Sequence, residues 1–360
     1  MSIIGFNGAV AGVVKGNTYG TEADITAGGI NLYASSISPS GGYADFVTRD
    51  FGQGGKRTNN ARLAASFDCS LSFDWTFSQA WQVFLAGILG TEATPSETTV
   101  GQGDYLHKFD VADSIQGLFY TVVYSIESDR TMVIPSFTPT SITIAAEING
   151  PGTVTVQGVA DNVKESSMNT VAEVTALVDY PYESVVMGGA NQYTRIHNYS
   201  TGSPLSSTHD KEIAGFTLTV SRQKDRRYGM RGALSKFTKE PLELGLIDAT
   251  LTVRHTELDN AGFDILDYWT NPSYKMGEFY FDGSQIGSGV NASYKLQFPS
   301  MKVKGAFPGG HGISSNRGLF TPDVTFDLFK AAAAPSGMTG VTELLRVSSV
   351  NAVRSAKWGT

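Results

Sequence analysis

The chain has 360 residues, of which 41% are hydrophobic, 17% are charged and 40 are glycine. These proportions exclude an intrinsically disordered chain and fit an ordered, turn-rich β protein that is long enough for two domains. The net charge of −7 argues against a free-standing nucleic-acid-binding protein, and the single cysteine, Cys69, excludes an internal disulfide and a cysteine-based zinc site.

The first segment, MSIIGFNGAVAGVVKGNTYGTEAD, is an apolar run broken by glycines. It has neither a basic start nor a small-residue cleavage site, so we expect no signal peptide. No run in the chain approaches the roughly 20 apolar residues that span a bilayer, so we expect no membrane insertion.

The hydrophobic period changes between Phe67 and Gly90. Alternate residues from Phe67 to Trp75 are apolar, which predicts a half-buried strand. The next apolar residues follow the spacing of one helix face: Trp81, Phe84, Leu85, Ile88 and Leu89. We therefore predict a helix over residues 78–89 that ends at Gly90.

A similar pattern begins at Asp248, 180 residues after Asp68. Leu251 and its neighbours alternate as a strand, and a second helix is predicted over residues 259–270, before Asn271-Pro272. In both halves a further strand and a closing hairpin follow. The first closing hairpin turns at NGPG, where we expect a glycine to supply the positive φ.

This repeated order predicts two similar domains, at residues 1–170 and 171–345, followed by a C-terminal tail at 346–360. The predicted fold class is mainly β, with each domain a β-sandwich or curled sheet flanked by one helix.

No local pattern predicts catalysis, a metal or a cofactor, so we expect none of these. The five histidines lack the spacing of a metal-binding pair, and a core position is expected for His255, although Glu257 shares its strand face. The segment around Lys56 fails as a P-loop because Arg57 replaces Ser or Thr. Asp264 and Asp267 are expected on a solvated helix face. A hydrolase whose carboxylates meet only on folding stays open.

Two basic, glycine-bearing segments precede the strand–helix units: Thr48–Arg62 and Ser221–Phe237. They have too few apolar residues to form a core. For Arg222 to Arg231 a nucleic-acid contact is one interpretation. The acidic chain favours, for both segments, long loops or hairpins whose cations meet carboxylates of a neighbouring subunit.

The order of these elements resembles the tail tube (major tail) proteins of bacteriophages with long, non-contractile tails. The resemblance covers nearly the whole chain, although each motif is weak by itself. The similar segments, in chain order, are NTYGTEADI, ARLAASFDCSLSFDWTFSQAWQVFLAGILG, YLHKFDVAD, FTLTVSRQKDRRYG, ATLTVRHTELDNAGFDILDYW, ASYKLQFPSMKVKG and DVTFDLFKA.

The resemblance implies a structural virion protein, made in the host cytoplasm and located in the tail. Its inner strands would pair between subunits into a continuous barrel, and rings would stack into a tube for DNA ejection. With two domains per chain, three subunits would close a pseudo-sixfold ring, and a hexamer is the alternative. The implied partners are other copies of the chain, the tape measure protein and DNA in the lumen, and tail-end proteins.

We further expect an acidic and polar lumen, because attraction to phosphate would slow DNA. The residues expected at contacts between stacked rings are Arg49, Lys56, Arg57, Arg222, Lys224, Arg226, Arg227 and Arg231. The alternative function is a β-sandwich adhesin or glycan-binding module on a virion or cell surface. That alternative requires an exposed aromatic cluster, whereas most tryptophans of this chain lie in core patterns.

Overall fold

A computed structural model describes most of the chain. It covers residues 10–50, 56–77, 81–90, 92–101, 103–126, 128–178, 183–189, 191–228, 238–256, 259–260, 263–264, 267–270, 272–287, 289–305 and 323–353. Strands hold 56% of the residues and helical segments 7%, so the predicted mainly β fold class is confirmed.

The strands and helices are numbered here in chain order. The strands are β1 Ala11–Lys15, β2 Ile30–Asn31, β3 Ala34–Asp50, β4 Lys56–Asp74, β5 Ser96–Glu97, β6 Tyr105–Asp110, β7 Tyr120–Ser125, β8 Thr131–Glu147, β9 Thr153–Ala160, β10 Lys164–Glu165, β11 Tyr193–Asn198, β12 Ile213–Tyr228, β13 Thr238–His255, β14 Asp259–Asn260, β15 Phe263–Asp264, β16 Lys275–Gly287, β17 Val290–Val303, β18 Asp323–Leu328 and β19 Arg346–Asn351. The helical segments are α1 Val83–Leu89, α2 Val171–Thr175, a 3-10 helix Ser207–His209 and α3 Asp267–Thr270.

Within one 17-stranded sheet, eight strands form an antiparallel run, called here the main sheet, in the order β3, β4, β9, β8, β12, β13, β18, β17. Strands β8 and β17 are long and belong to two layers. The start of β8 pairs with β7, which continues to β1 and β2. The start of β17 pairs with β16 and β19, which continue to β11 and β6.

One hydrophobic core runs between these layers through both halves of the chain. The predicted alternation in β4 is confirmed, since Phe67 to Trp75 bury every second side chain. Trp75 is fully buried and lies 4.9 Å from the ring of Phe281 and 5.9 Å from that of Phe216, centroid to centroid. The halves therefore share aromatic packing, and Trp75 ties the first half to the second.

The predicted first helix is confirmed for its second half, as α1, while residues 81–82 form a turn; the helix ends at Gly90, which has a φ of 138°. Residues 78–80, where the helix was expected to begin, lie outside the described residues. All seven residues of α1 are buried, so the helix is enclosed by packed strands instead of lying on a surface. It packs against β6, β8 and β12.

The predicted second helix over residues 259–270 is wrong for its first half. Asp259–Asn260 and Phe263–Asp264 form the paired strands β14 and β15, and among the described residues of this range the helical ones are Asp267–Thr270. Asp259 and Asn260 belong to residue types that disfavour a helix interior, which accounts for the strand conformation there. Asp264 and Asp267 therefore do not share a helix face.

The predicted closing hairpins are present as β8–β9 and β17–β18. In the NGPG turn, Asn149 has the positive φ, 62°, instead of a glycine. The predicted C-terminal tail begins with a strand of the sheet. Residues 346–351 form β19, which pairs with β17 and with β6.

Candidate functional site

The described parts of the two basic segments lie in long antiparallel hairpins, one of the two forms expected for them. One is made by β3 and β4 and the other by β12 and β13. In the first hairpin Arg49 lies opposite Arg57, and Lys56 opposite Asp50. Residues 51–55 and 229–237 lie outside the described residues, and Arg231 is among them.

Arg222 of the second hairpin is buried, so its expected role at a contact between rings is corrected. Its side chain is 1% exposed and forms an ion pair with Glu243. It also donates hydrogen bonds to the carbonyl oxygens of Ile88 at 3.0 Å and Ala112 at 2.7 Å. Arg222 therefore satisfies carbonyls at the C-terminal end of α1, where a cation is favoured.

The neighbouring cations differ in their surroundings. Lys224 is half-buried near Glu240 and Glu243, and burial lowers its pKa to about 7. Arg226 is 23% exposed and forms an ion pair with Asp68 of the first hairpin. Arg227 is exposed. Of these residues, Arg227 is the one that remains accessible to another subunit.

The strand pairings of the first half recur in the second. Strand β9 lies between β4 and β8, and β18 lies between β13 and β17. Strand β8 continues to β7 and β1, and β17 continues to β16 and β11. In the two hairpins, β3 pairs with β4 and β12 with β13. The paired strands appear in the same order along the chain.

The pairings also give residue-level matches between the halves. Val156 lies between Leu71 and Ile142, and Ile37 lies on the far side of Leu71. In the second half, the residues that correspond to Ile37, Leu71, Val156 and Ile142 are, in that order, Leu218, Leu251, Phe326 and Val303. Ile37 thus matches Leu218, and Ile142 matches Val303.

The halves are joined edge to edge by β8 and β12. Ser141 to Glu147 pair with Ser221 to Gly215 in an unbroken antiparallel ladder. The hydroxyl oxygens of Thr143 and Thr219 lie 3.3 Å apart across this junction. On the core side, Ile142 and Leu218 are each 1% exposed.

The outer edges of the main sheet are β3 and the end of β17. In the described residues β3 pairs with β4 alone, and Lys302 to Lys304 have β18 as their one partner strand. Ile37 and Val303 pack on the core but are only half-buried, unlike their matches at the junction. The sequences of these edges, SSISPS at residues 35–40 and SMKVKG at residues 300–305, alternate as is typical of strands, but the alternation does not identify the strands with which they pair.

The face of the main sheet away from the core is rich in hydroxyl groups. One row across five strands contains Ser72, Thr155, Thr143, Thr219 and Thr250. The same face carries Asp68, paired with Arg226, and Asp327, paired with Lys304. It is therefore polar and carries charges of both signs.

Other polar clusters lie away from these edges. His107 is buried against Glu92, and its Nε2 lies 2.9 Å from the carbonyl oxygen of Val353. His197 and His209 stack with centroids 4.0 Å apart, a proximity that their sequence spacing did not indicate. Within the described residues no group of three or more His, Cys, Asp or Glu side chains is arranged to hold a metal.

A cavity of about 420 Å³ opens beside β11 and β16. Tyr193 and Tyr280 stack in its wall with centroids 5.3 Å apart, and the guanidinium of Arg195 lies 3.7 Å from the Tyr193 centroid. Both ring faces of Tyr193 are therefore occupied. The wall also carries the charged residues Asp210, Lys211 and Glu212.

No protein-family model matches the chain, and no curated protein sequence matches it. None of the helices in the described part of the chain has the length and apolar character that crossing a bilayer requires.

Proposed function

We propose that this chain is a structural protein that joins copies of itself edge to edge into a ring, and that the rings stack into a bacteriophage tail tube for DNA ejection. The observation that carries the proposal is the β8–β12 junction, which links two sets of strands with the same pairing order. We take these sets as two copies of one domain. A contact that joins such units head to tail can repeat between chains and close a ring.

The hydroxyl-rich face supports the same function. The closed sheet would turn this face toward a central lumen, where DNA or a tape measure protein passes. Hydroxyl groups such as those of Thr155 and Thr219 bind water and have no net charge, so they give phosphate no strong attraction. The location of the protein in the virion tail, and its contacts with tail-end proteins, belong to the same proposal.

Electron microscopy and mass measurement test the proposal directly. Concentrated protein should form rings or tubes in negative stain, and native mass spectrometry should show closed species of three chains. Six chains per ring would contradict the view that each chain supplies two of six domains. A protein that remains monomeric at high concentration would contradict the assembly itself.

A glycan-binding module is the second candidate, and the cavity beside β11 and β16 favours it. Aromatic walls with a few polar groups are typical of small-molecule sites. It ranks second because Tyr193 has no open ring face on which a sugar could stack. A glycan array would test it, with Tyr280→Ala as the cavity variant and Tyr274→Ala as the control, since Tyr274 is exposed outside the cavity. Binding that only Tyr280→Ala abolishes would favour this candidate.

A further inference from the structure

We propose that Lys302 to Lys304, at and just beyond the end of β17, pair antiparallel with Ser40 to Ser38 of β3 in a second copy of the chain. This contact depends on the assembly proposed above and adds its residue register. Lys302 would lie opposite the partner copy's Ser40, and Lys304 opposite its Ser38.

The register follows from the junction inside the chain. Ser141 lies opposite Ser221, and Thr143 opposite Thr219. Lys302 of the second half corresponds to Ser141 of the first. Lys302 pairs with Asp327, and Ser141 pairs with Gln157, which is the residue that corresponds to Asp327.

The same rows place β3 against β12. Ser40 pairs with Asp68, and Ser221 pairs with Asp248, the residue 180 positions later. Ser40 therefore stands where Ser221 does, and Ser38 where Thr219 does. In the junction pairs, Ser141 and Thr143 are replaced by Lys302 and Lys304, and Ser221 and Thr219 by Ser40 and Ser38. The resulting pairs are the proposed register between chains.

Burial at the two edges fits this contact. Ile37 and Val303 are half-buried on the core side, whereas Leu218 and Ile142, which hold the same places at the junction, are each 1% exposed. A strand added at each edge would cover these apolar side chains as β8 and β12 cover theirs.

Charge also fits. Lys302 and Lys304 are exposed, and Lys304 is bound to Asp327 at 3.0 Å. In the proposed register Lys302 lies two strands, or about 10 Å, from the partner copy's Asp68. Asp68 is 59% exposed and can accept a bond from a long lysine side chain.

Pro39 limits the strength of the contact. It occupies the position that matches Val220, and its ring nitrogen has no hydrogen. The ladder between chains therefore lacks at most one hydrogen bond relative to β8–β12. A proline at an exposed edge also hinders the addition of strands in other registers, so it favours one partner.

Disulfide trapping tests the register. Ser38→Cys and Lys304→Cys are made as separate single variants and mixed under mild oxidation. Directly opposed positions come within disulfide range, whereas positions offset by two residues lie roughly 7–8 Å apart. The control mixture is Ser40→Cys with Lys304→Cys. Thr143→Cys with Thr219→Cys in one chain is the positive control, because those side chains already touch.

We expect about tenfold more covalent dimer in the matched mixture than in the offset one. Equal yields, or no dimer from the matched mixture while the positive control closes, would overturn the register. Ring formation by the unmodified protein, seen by microscopy, separates the two proposals. Rings without the matched disulfide leave the proposed function standing and reject this contact, and dimers without rings support the contact and reject the tube.

Discussion

Arg222 and Glu243 form an ion pair across the β12–β13 hairpin, with both side chains almost completely covered. Glu243 also accepts hydrogen bonds from the backbone N–H of Ile115 at 2.9 Å and from Ser114 Oγ at 3.1 Å. Arg222 in turn donates hydrogen bonds to the carbonyl oxygens of Ile88 and Ala112. One charge pair therefore connects a hairpin of the second half to α1 and the following loop of the first.

Replacing Arg222 by Ala should destabilise the subunit strongly. The substitution leaves the Glu243 carboxylate and several carbonyl oxygens without their donor in a buried place, and breaking such a pair typically costs about 3–5 kcal/mol. Urea unfolding, followed by circular dichroism, measures the change in the free energy of unfolding.

The control is Arg227→Ala, on the same strand but with an exposed side chain. It should change the free energy of unfolding by less than about 0.5 kcal/mol. Similar losses in the two variants would contradict the structural role given to Arg222.

Sequence patterns predicted the elements whose signal is local. The alternation from Phe67 to Trp75 determined a buried strand face because a strand exposes and buries successive side chains in turn. Burial of Arg222 could not be predicted, since its partners Ile88 and Ala112 are distant in sequence. The sequence alone therefore groups Arg222 with Arg226 and Arg227 as a surface cation.

For the second helix, the sequence predicted a helix where the structure has short strands. Residues from Gly262 to Trp269 have helical spacing, but a helix this short depends on tertiary packing to overcome its nucleation cost. The edge residues Ile37 and Val303 illustrate a further limit. The sequence predicts a closing hairpin that contains Val303 but makes no prediction at Ile37, and the pairing partner of a strand is not encoded in its own pattern.

Arg227 is expected to take part in contacts between stacked rings. Arg227→Glu should leave the circular dichroism spectrum unchanged and shorten the tubes or raise the protein concentration they require. Wild-type assembly should weaken with salt, because charge pairs at exposed contacts are screened. Tube length in negative stain and sedimentation at several salt concentrations provide the measurements.

Gln223→Glu is the control, since Gln223 is exposed on the same strand and the variant also adds negative charge. It should assemble like the wild type. Tubes of normal length from Arg227→Glu would exclude this side chain from the contact between rings.

His255 should make the subunit less stable in acid. It is fully buried, and burial, with a smaller effect from the nearby Lys211 charge, lowers its pKa to about 4, while Asp323 opposes the shift. The unfolded chain binds a proton near pH 6.5 and the folded chain does not, so stability falls as the pH drops from about 6.5 to 4. The full effect is roughly 3 kcal/mol. His255→Phe, measured by urea unfolding at several pH values, should reduce this fall.

Asp161→Asn provides a control of opposite sign. Asp161 is 2% exposed, and burial raises its pKa to about 7, so the folded chain binds the proton more tightly than the unfolded chain does. Its contribution to stability increases as the pH falls from about 7 to 4. Removing it should steepen the loss of stability in acid, whereas removing His255 should make that loss shallower. Parallel shifts in both variants would contradict these assignments.

The hydroxyl-rich face is expected to line the lumen and to bind DNA weakly. Thr155 and Thr219 lie in one row of this face, separated by Thr143. Changing both to Lys adds cations whose long stems can reach open space, so the assembled tube should gain affinity for a short labelled DNA duplex. Fluorescence anisotropy should show binding that weakens steeply as salt rises, whereas wild-type tubes should bind little.

Ser203→Lys, at an exposed loop position, is the control and should not produce the same gain. Strong binding by the wild type would contradict a lumen with little attraction for DNA. Failure of the double variant to assemble, although its subunit is folded, would instead place this face in a contact between chains.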